Sequence, residues 1–365
     1  MAKQNVGNPK FYIDMLSFFK AQGSFEDTYG DTKLMGELNP VESIQETAEA
    51  GFQDLSGYRE YRVKLDHDNR MSGATHIPSF KHWLGFFNHN FYDSKIKNTI
   101  INVLNVAEQG VNNITASDFS EICNFPMDST TTFQQNGWSM AECDPIAQSF
   151  RTLSISTRTD STTNFELMLS KIGFGQVFQM PHSPDLKLTI RREYDGIKKQ
   201  QTKGGSTLTQ VDYTGSPHWG TMPAWYVGQA NLSTQEGNNY KEKRQYGRGR
   251  RIWDLKFSYI SDWRLFPINE SISRNNPTDS IDLEDNSSYI NANNDFTTDA
   301  YDSYSFMTVV MGKTLGGSLP FIFQPDGNNN SPDQFAICQI DQSSFNYEQV
   351  ANGVYDISLT IREVW

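Results

Sequence analysis

Between residues 355 and 362 apolar and polar side chains alternate without interruption. Tyr355, Ile357, Leu359 and Ile361 fall on one side, and Asp356, Ser358, Thr360 and Arg362 on the other. Successive side chains of a strand point to opposite faces, so this segment predicts a strand with one buried and one wet face. Two further segments share the pattern. Leu186, Leu188 and Ile190 alternate with Lys187, Thr189 and Arg191, and Trp253, Leu255, Phe257 and Tyr259 alternate with Asp254, Lys256 and Ser258. Ile100, Ile101, Val103, Leu104 and Val106 predict a fully buried strand, and apolar runs at 137–140, 150–155, 165–169 and 172–178 add more. Strands this frequent, without regular helices between them, imply a sandwich or barrel rather than alternating βαβ units. Residues 11–19 are apolar on both the helical and the strand period, which leaves both readings open. One helix is predicted at about 303–313, with Asp302 as cap, Phe306, Val309 and Val310 as core stripe, and Gly316-Gly317 as its stop. Asp195-Gly196 reads as a hairpin turn and Gly204-Gly205 as a second turn.

These elements divide the chain into three parts. Residues 1–70 read as an extended entry segment or arm, residues 71–182 as a β-sandwich, and residues 183–365 as a second β-domain. Within the last, about 269–299 is a run rich in Asn, Asp and Ser, too long for an ordinary connection and therefore a surface insertion.

Composition sharpens this picture. Hydrophobic residues make up 37% and charged residues 20%, while aromatics reach 13%. Aromatic residues suit pleated sheets, and the small polar residues that replace the missing hydrophobicity suit turns. A net charge of −12 argues against binding a phosphate backbone as the main task. The one basic cluster, Lys241, Lys243, Arg244, Arg248, Arg250 and Arg251, includes Gly247 and Gly249. It reads as a solvated loop or an intersubunit contact, with a nucleic-acid contact as the alternative. Cys123, Cys143 and Cys338 are widely spaced with no CxxC, so neither a zinc site nor a disulfide framework is expected, and all three read as small buried hydrophobes. No secretory signal and no membrane span are read, so a soluble chain made in a cytoplasm is expected.

Candidate chemistry is sparse. There is no HExxH, GxSxG or phosphate loop, so no catalytic residue, metal or cofactor is assigned, and no enzyme is expected. His89, in Asn88-His89-Asn90, is either a ligand or sugar contact at the mouth of a sandwich or a turn residue that satisfies its own backbone. Trp219 and Trp225, on either side of Pro223, form either a sugar-stacking platform or a packing contact within or between subunits. With Arg248 and Arg250 they complete the set of candidate contact residues.

Several segments, in order, resemble tail-tip proteins of tailed bacteriophages. Lys171-Ile172-Gly173-Phe174-Gly175-Gln176-Val177-Phe178 is similar to an "IGRLFIG" type of strand, and Leu84-Gly85-Phe86-Phe87-Asn88-His89-Asn90 to an "LGHN" turn, departing from it at Phe86 and Phe87. Arg251-Ile252-Trp253-Asp254-Leu255-Lys256-Phe257 matches an "R-x-x-x-L-x-F" strand. Residues 319–326 resemble an "RPVLVVPDP" strand, and Glu363-Val364 the closing "EV". The resemblance covers roughly residues 80–365. It implies a mainly β chain: a jelly-roll-like sandwich, then a second β-rich domain with one short helix. It also implies a virion structural protein of the tail, distal-tail or baseplate type, made in the host cytoplasm. The expected partners are copies of itself in a ring and other tail proteins, with no direct nucleic-acid role and no membrane insertion. A carbohydrate-binding module that adsorbs to host surface polysaccharide is the alternative, since jelly rolls carry lectin function readily.

Overall fold

The structure, a computed structural model, describes residues 6–23, 25–29, 36, 38, 44–48, 58–65, 81–91, 96–104, 119–125, 137–143, 152–159, 165–186, 189–193, 197–211, 250–267, 304–330, 334–341 and 344–364. The first strands are β1 (Lys10–Asp14), β2 (Phe25–Tyr29), β3 (Ile44–Ala48), β4 (Tyr58–Leu65), β5 (His82–His89), β6 (Ile96–Leu104) and β7 (Phe119–Phe125). Then come β8 (Gly137–Cys143), β9 (Thr152–Thr159), β10 (Phe165–Leu169), β11 (Lys171–Gln179), β12 (Thr189–Glu193), β13 (Ile197–Gln201) and β14 (Thr207–Val211). The last are β15 (Arg250–Ser261), β16 (Phe321–Gln324), β17 (Ala336–Ile340), β18 (Tyr347–Ala351) and β19 (Val354–Glu363). Helical segments are α1 (Met15–Ala21), α2 (Asp262–Leu265) and a π-helix (Phe306–Gly312). The protein is mainly β, and its large sheets are antiparallel. Among the described residues no helix is long and apolar enough to cross a membrane.

Ten strands form one sheet in the order β12-β15-β19-β17-β16-β1-β11-β5-β8, with β18 attached to β19. A second sheet runs β2-β4-β9-β6-β7. β1 lies between β16 and β11, so it joins strands from both sides of residue 182 into one sheet. The central strands are buried on both faces. On one, Phe11, Ile13, Phe178, Phe321 and Phe323 pack with Trp253, Leu359 and the π-helix residues Phe306, Val309 and Val310. On the other, Tyr12, Val177 and Ile322 pack with Trp83, Phe87 and Phe335. This double burial explains the unbroken apolar run at β16, where alternation would otherwise be expected.

The ambiguous segment 11–19 proves to be both things. It is strand to Asp14 and helix from Met15, and Asp14 makes the switch. Its carboxylate accepts the amide hydrogens of Leu16 and Ser17, so it caps α1. Residues 10–14 are therefore a central strand, not part of a free arm.

The predicted helix at 303–313 is a π-helix capped by Ser305, whose Oγ accepts the Thr308 amide at 3.2 Å. Asp302 and the insertion at 269–299 lie outside the described residues. Strand β12 starts at Thr189, and Leu186 and Ile190 are exposed, so that alternation marks a sheet edge and not a buried face. Tyr259 also leaves the core. A bulge between Phe257 and Ile260 puts it at φ 63° and 74% exposed, while Ile260 takes the buried position. The turn expected at Asp195-Gly196 lies outside the described residues, and its flanking strands pair elsewhere, β12 with β15 and β13 with β14. The expectation of three reduced cysteines is overturned at Cys143, which is disulfide-bonded. Cys338 is free and buried, and burial raises its thiol well above the usual value.

Candidate functional site

Alternation along β15 and β19 sets the site. With Trp253, Leu255, Ile357, Leu359 and Ile361 committed to the core, Asp254, Lys256, Ser258, Asp356, Ser358, Thr360 and Arg362 face outward. Edge strand β12 adds Arg191 and Glu193 to this face. Arg191 bonds Asp254 through both Nε and Nη2, at 2.9 and 3.2 Å, and Arg362 bonds Glu193 at 2.6 Å. Thr360 Oγ1 donates to Asp254 at 3.1 Å. Between this face and Asp341, Ser344 and Asn346 lies an open groove of about 610 Å³.

Towards the β18 side the face turns acidic. Asp356 takes Lys256 at 2.9 Å, and the single Ser258 hydroxyl lies within hydrogen-bond distance of Asp185, at 2.7 Å, and of Asp356, at 3.2 Å. Glu348 on β18 stands directly opposite Asp356 in the strand register. Lys256 thus pairs with Asp356, and the charges of Asp185 and Glu348 add to the field at its ammonium. The Lys256 hydrogen bond holds the Asp356 carboxyl below its ordinary range, and Asp356, with Asp185 and Glu348 behind it, raises Lys256 in return. Asp356 also accepts the Tyr259 amide at 3.0 Å, which fixes the bulge. Every residue of β18 is exposed, Tyr347 and Val350 included, and among the described strands it pairs with β19 alone.

The β13–β14 hairpin is the second component. Its turn is tied by the Thr202 amide donating to Ser206 O at 2.8 Å and the Gly205 amide to Thr202 O at 2.9 Å. Gly205 sits at φ 83°, which a glycine adopts without steric cost. The expected Gly204-Gly205 turn is thus present. Residues 198–210 are all exposed, and Leu208 is 60% exposed.

The residues singled out from sequence separate. His89 is buried at the end of β5. Its Nε2 lies 3.0 Å from Ser139 Oγ, its Nδ1 accepts the Phe91 amide at 3.2 Å, and its ring stacks on Phe91. Burial lowers its pKa to about 3. Its ring thus satisfies a local backbone amide from within the fold. Arg250 opens β15 opposite Glu193 and is half-buried. Trp219, Trp225 and Arg248 lie outside the described residues. Sequence reasoning did not reach the carboxylates around Lys256, because Asp185, Glu348 and Asp356 come from three separate segments; only the alternation of β19 marked Asp356 as outward-facing.

The motif segments singled out along the sequence converge. Those at Leu84, Lys171, Arg251, Phe321 and Glu363 lie on β5, β11, β15, β16 and β19, all in the ten-stranded sheet. Arg251 and Glu363 meet. The Arg251 backbone amide donates to Glu363 Oε2 at 2.8 Å, its Nε to the same oxygen at 3.2 Å, and its Nη2 to Oε1 at 2.9 Å. Arg251 Nη2 also reaches Phe335 O, and its guanidinium lies 5.1 Å from the Trp253 ring centre. The glycines of the Lys171 segment are spent on close approach. A Cβ on Gly175 would lie 1.9 Å from Ile13 O, and one on Gly173 would lie 2.5 Å from Trp83 Cη2. The chain matches no protein-family model and no curated protein.

Proposed function

We propose that this protein is a structural component of a bacteriophage tail, of the distal-tail or baseplate type, present as several copies in a ring. The observation that carries the reading is the Arg251–Glu363 pair. The first residue of one resembling segment and the last charged residue of another, 112 positions apart, form a buried, two-point ion pair. The two segments are therefore one physical unit, and the order of motifs along the chain has a structural reason. The other resembling residues likewise supply packing to a single sheet. In this reading the partners are copies of the same chain and neighbouring tail proteins, and the protein is incorporated into virions without catalysis.

The test is location. Gold-labelled antibody raised against this chain, applied to purified particles, is expected to mark the tail tip. Label confined to heads, or particles lacking the chain by mass spectrometry, would overturn the proposal.

A further inference from the structure

The hairpin β13–β14 packs its strands on each other alone among the described strands, and its side chains from Lys198 to Gln210 are exposed. A two-stranded hairpin with neither face covered is marginally stable in water. Its composition is also out of keeping with the rest of the molecule. Residues 197–211 contain Lys198, Lys199 and Lys203 and no Asp or Glu, a charge of +3. With −12 for the whole chain, the remainder carries −15.

A complementary surface is present on the same molecule, at the edge formed by β18. There Glu348 of β18 stands opposite Asp356 of β19, whose other neighbour on this face, Lys256 of β15, lies on the side away from the edge. The edge strand is exposed along its whole length and offers Tyr347 and Val350 as apolar contacts. A strand with an open side is a template for a further strand, and pairing of this kind combines backbone hydrogen bonds with side-chain selectivity.

We propose that the β13–β14 hairpin of one copy docks on the β18 edge of a second copy, with its lysines towards Glu348 and Asp356. The inference deepens the reading of the chain as a ring component. Arm and acceptor are different surfaces, so the contact is head-to-tail. Repeated, such a contact closes into a ring or runs on as a filament. Leu208 supplies the apolar part of the arm.

The test uses the purified full chain. Sedimentation velocity over a concentration series, at low and high salt, gives its association state. Equal parts of ¹⁴N- and ¹⁵N-labelled protein are then joined by a zero-length carbodiimide and digested. Mixed-isotope peptides linking Lys198, Lys199 or Lys203 to Glu348 or Asp356 are expected. The triple variant K198E/K199E/K203E changes only exposed side chains. It is expected to keep the wild-type melting temperature and to need about tenfold more protein, or greater, to assemble. Adding E348K to it is expected to restore part of the loss. A variant that assembles like wild type, or mixed-isotope links that avoid the hairpin or the β18 edge, would overturn the docking while leaving the ring reading intact. A wild-type chain that stays monomeric at every concentration would overturn both.

Discussion

Two side chains show how much depends on single residues here. Glu363 is fully buried and holds the backbone and the guanidinium of Arg251. Glu363→Ala leaves a buried guanidinium without its counter-charge, and removing one partner of such a pair costs about 3–5 kcal/mol. Chemical denaturation is expected to show a loss of that order; a change below about 1 kcal/mol would show that the pair is not structural. Asp14 gives a pH signature. Burial raises its carboxyl from 3.8 to about 6, against the hydrogen bonds from Ser17, Phe174 and Leu16 that pull it down. The folded state therefore binds a proton that the unfolded state has already released, and this contribution is full below about 4 and lost as pH rises through about 6. His89 runs the opposite way. Its pKa falls from 6.5 to about 3, so its contribution is full above 6.5 and lost as pH falls. The two oppose each other between pH 4 and 6, and the variant separates them. Asp14→Asn keeps a good cap, and its stability relative to wild type is expected to rise between pH 4 and pH 7. A constant difference across that range would refute the assignment.

At the scale of elements, β19 is the strand on which most pairing rests. It bonds β15, β17 and β18, and buries Ile357, Leu359 and Ile361 to 1% exposure or less. Burying one aliphatic side chain stabilises by about 1.5–3 kcal/mol, so three approach the stability of a whole domain. Truncation after Asp356 is expected to abolish cooperative unfolding, and a soluble truncated chain with a normal melting transition would contradict this. Ser358→Ala, on the outward face, is expected to change stability by less than about 0.5 kcal/mol. This strand was legible because period-2 alternation states both its conformation and its buried face. Other elements were less so, for identifiable reasons. Residues 11–19 fit two periods because a strand and a helix share them, and only Asp14, a good cap, hinted at the joint. The alternation through Tyr259 could not announce a bulge, because the bulge is held by Asp356 nearly a hundred residues away. Leu186 and Ile190 signalled a strand with a buried face, but both are exposed and have no core to enter. Of the candidate site, the Gly204-Gly205 turn was readable locally, whereas the acidic edge is assembled from distant segments that no spacing connects.

Over the whole molecule, the division at residue 182 meets a sheet that crosses it. β1 holds β16 on one side and β11 on the other through registers of four and five residue pairs. Residues 1–182 expressed alone keep β1 but lose β16, and residues 183–365 lose β1 from beside β16. Neither fragment is expected to give a cooperative thermal transition, while co-expression of the two is expected to recover one. A sharp transition in the isolated 183–365 fragment would show that β1 is dispensable to it. The central place of β1 also bears on how the chain is made. Residues 10–14 leave the ribosome early, yet one of their two partners, residues 321–324, is synthesised 311 positions after residue 10. At about 5–20 residues per second that interval is roughly a quarter of a minute to a minute. Throughout it the ribosome holds an apolar strand, Phe11, Tyr12 and Ile13 among its residues, with one edge that nothing yet emerged can close. Chaperone occupancy during translation should therefore begin with the first segment and end only once β16 has emerged.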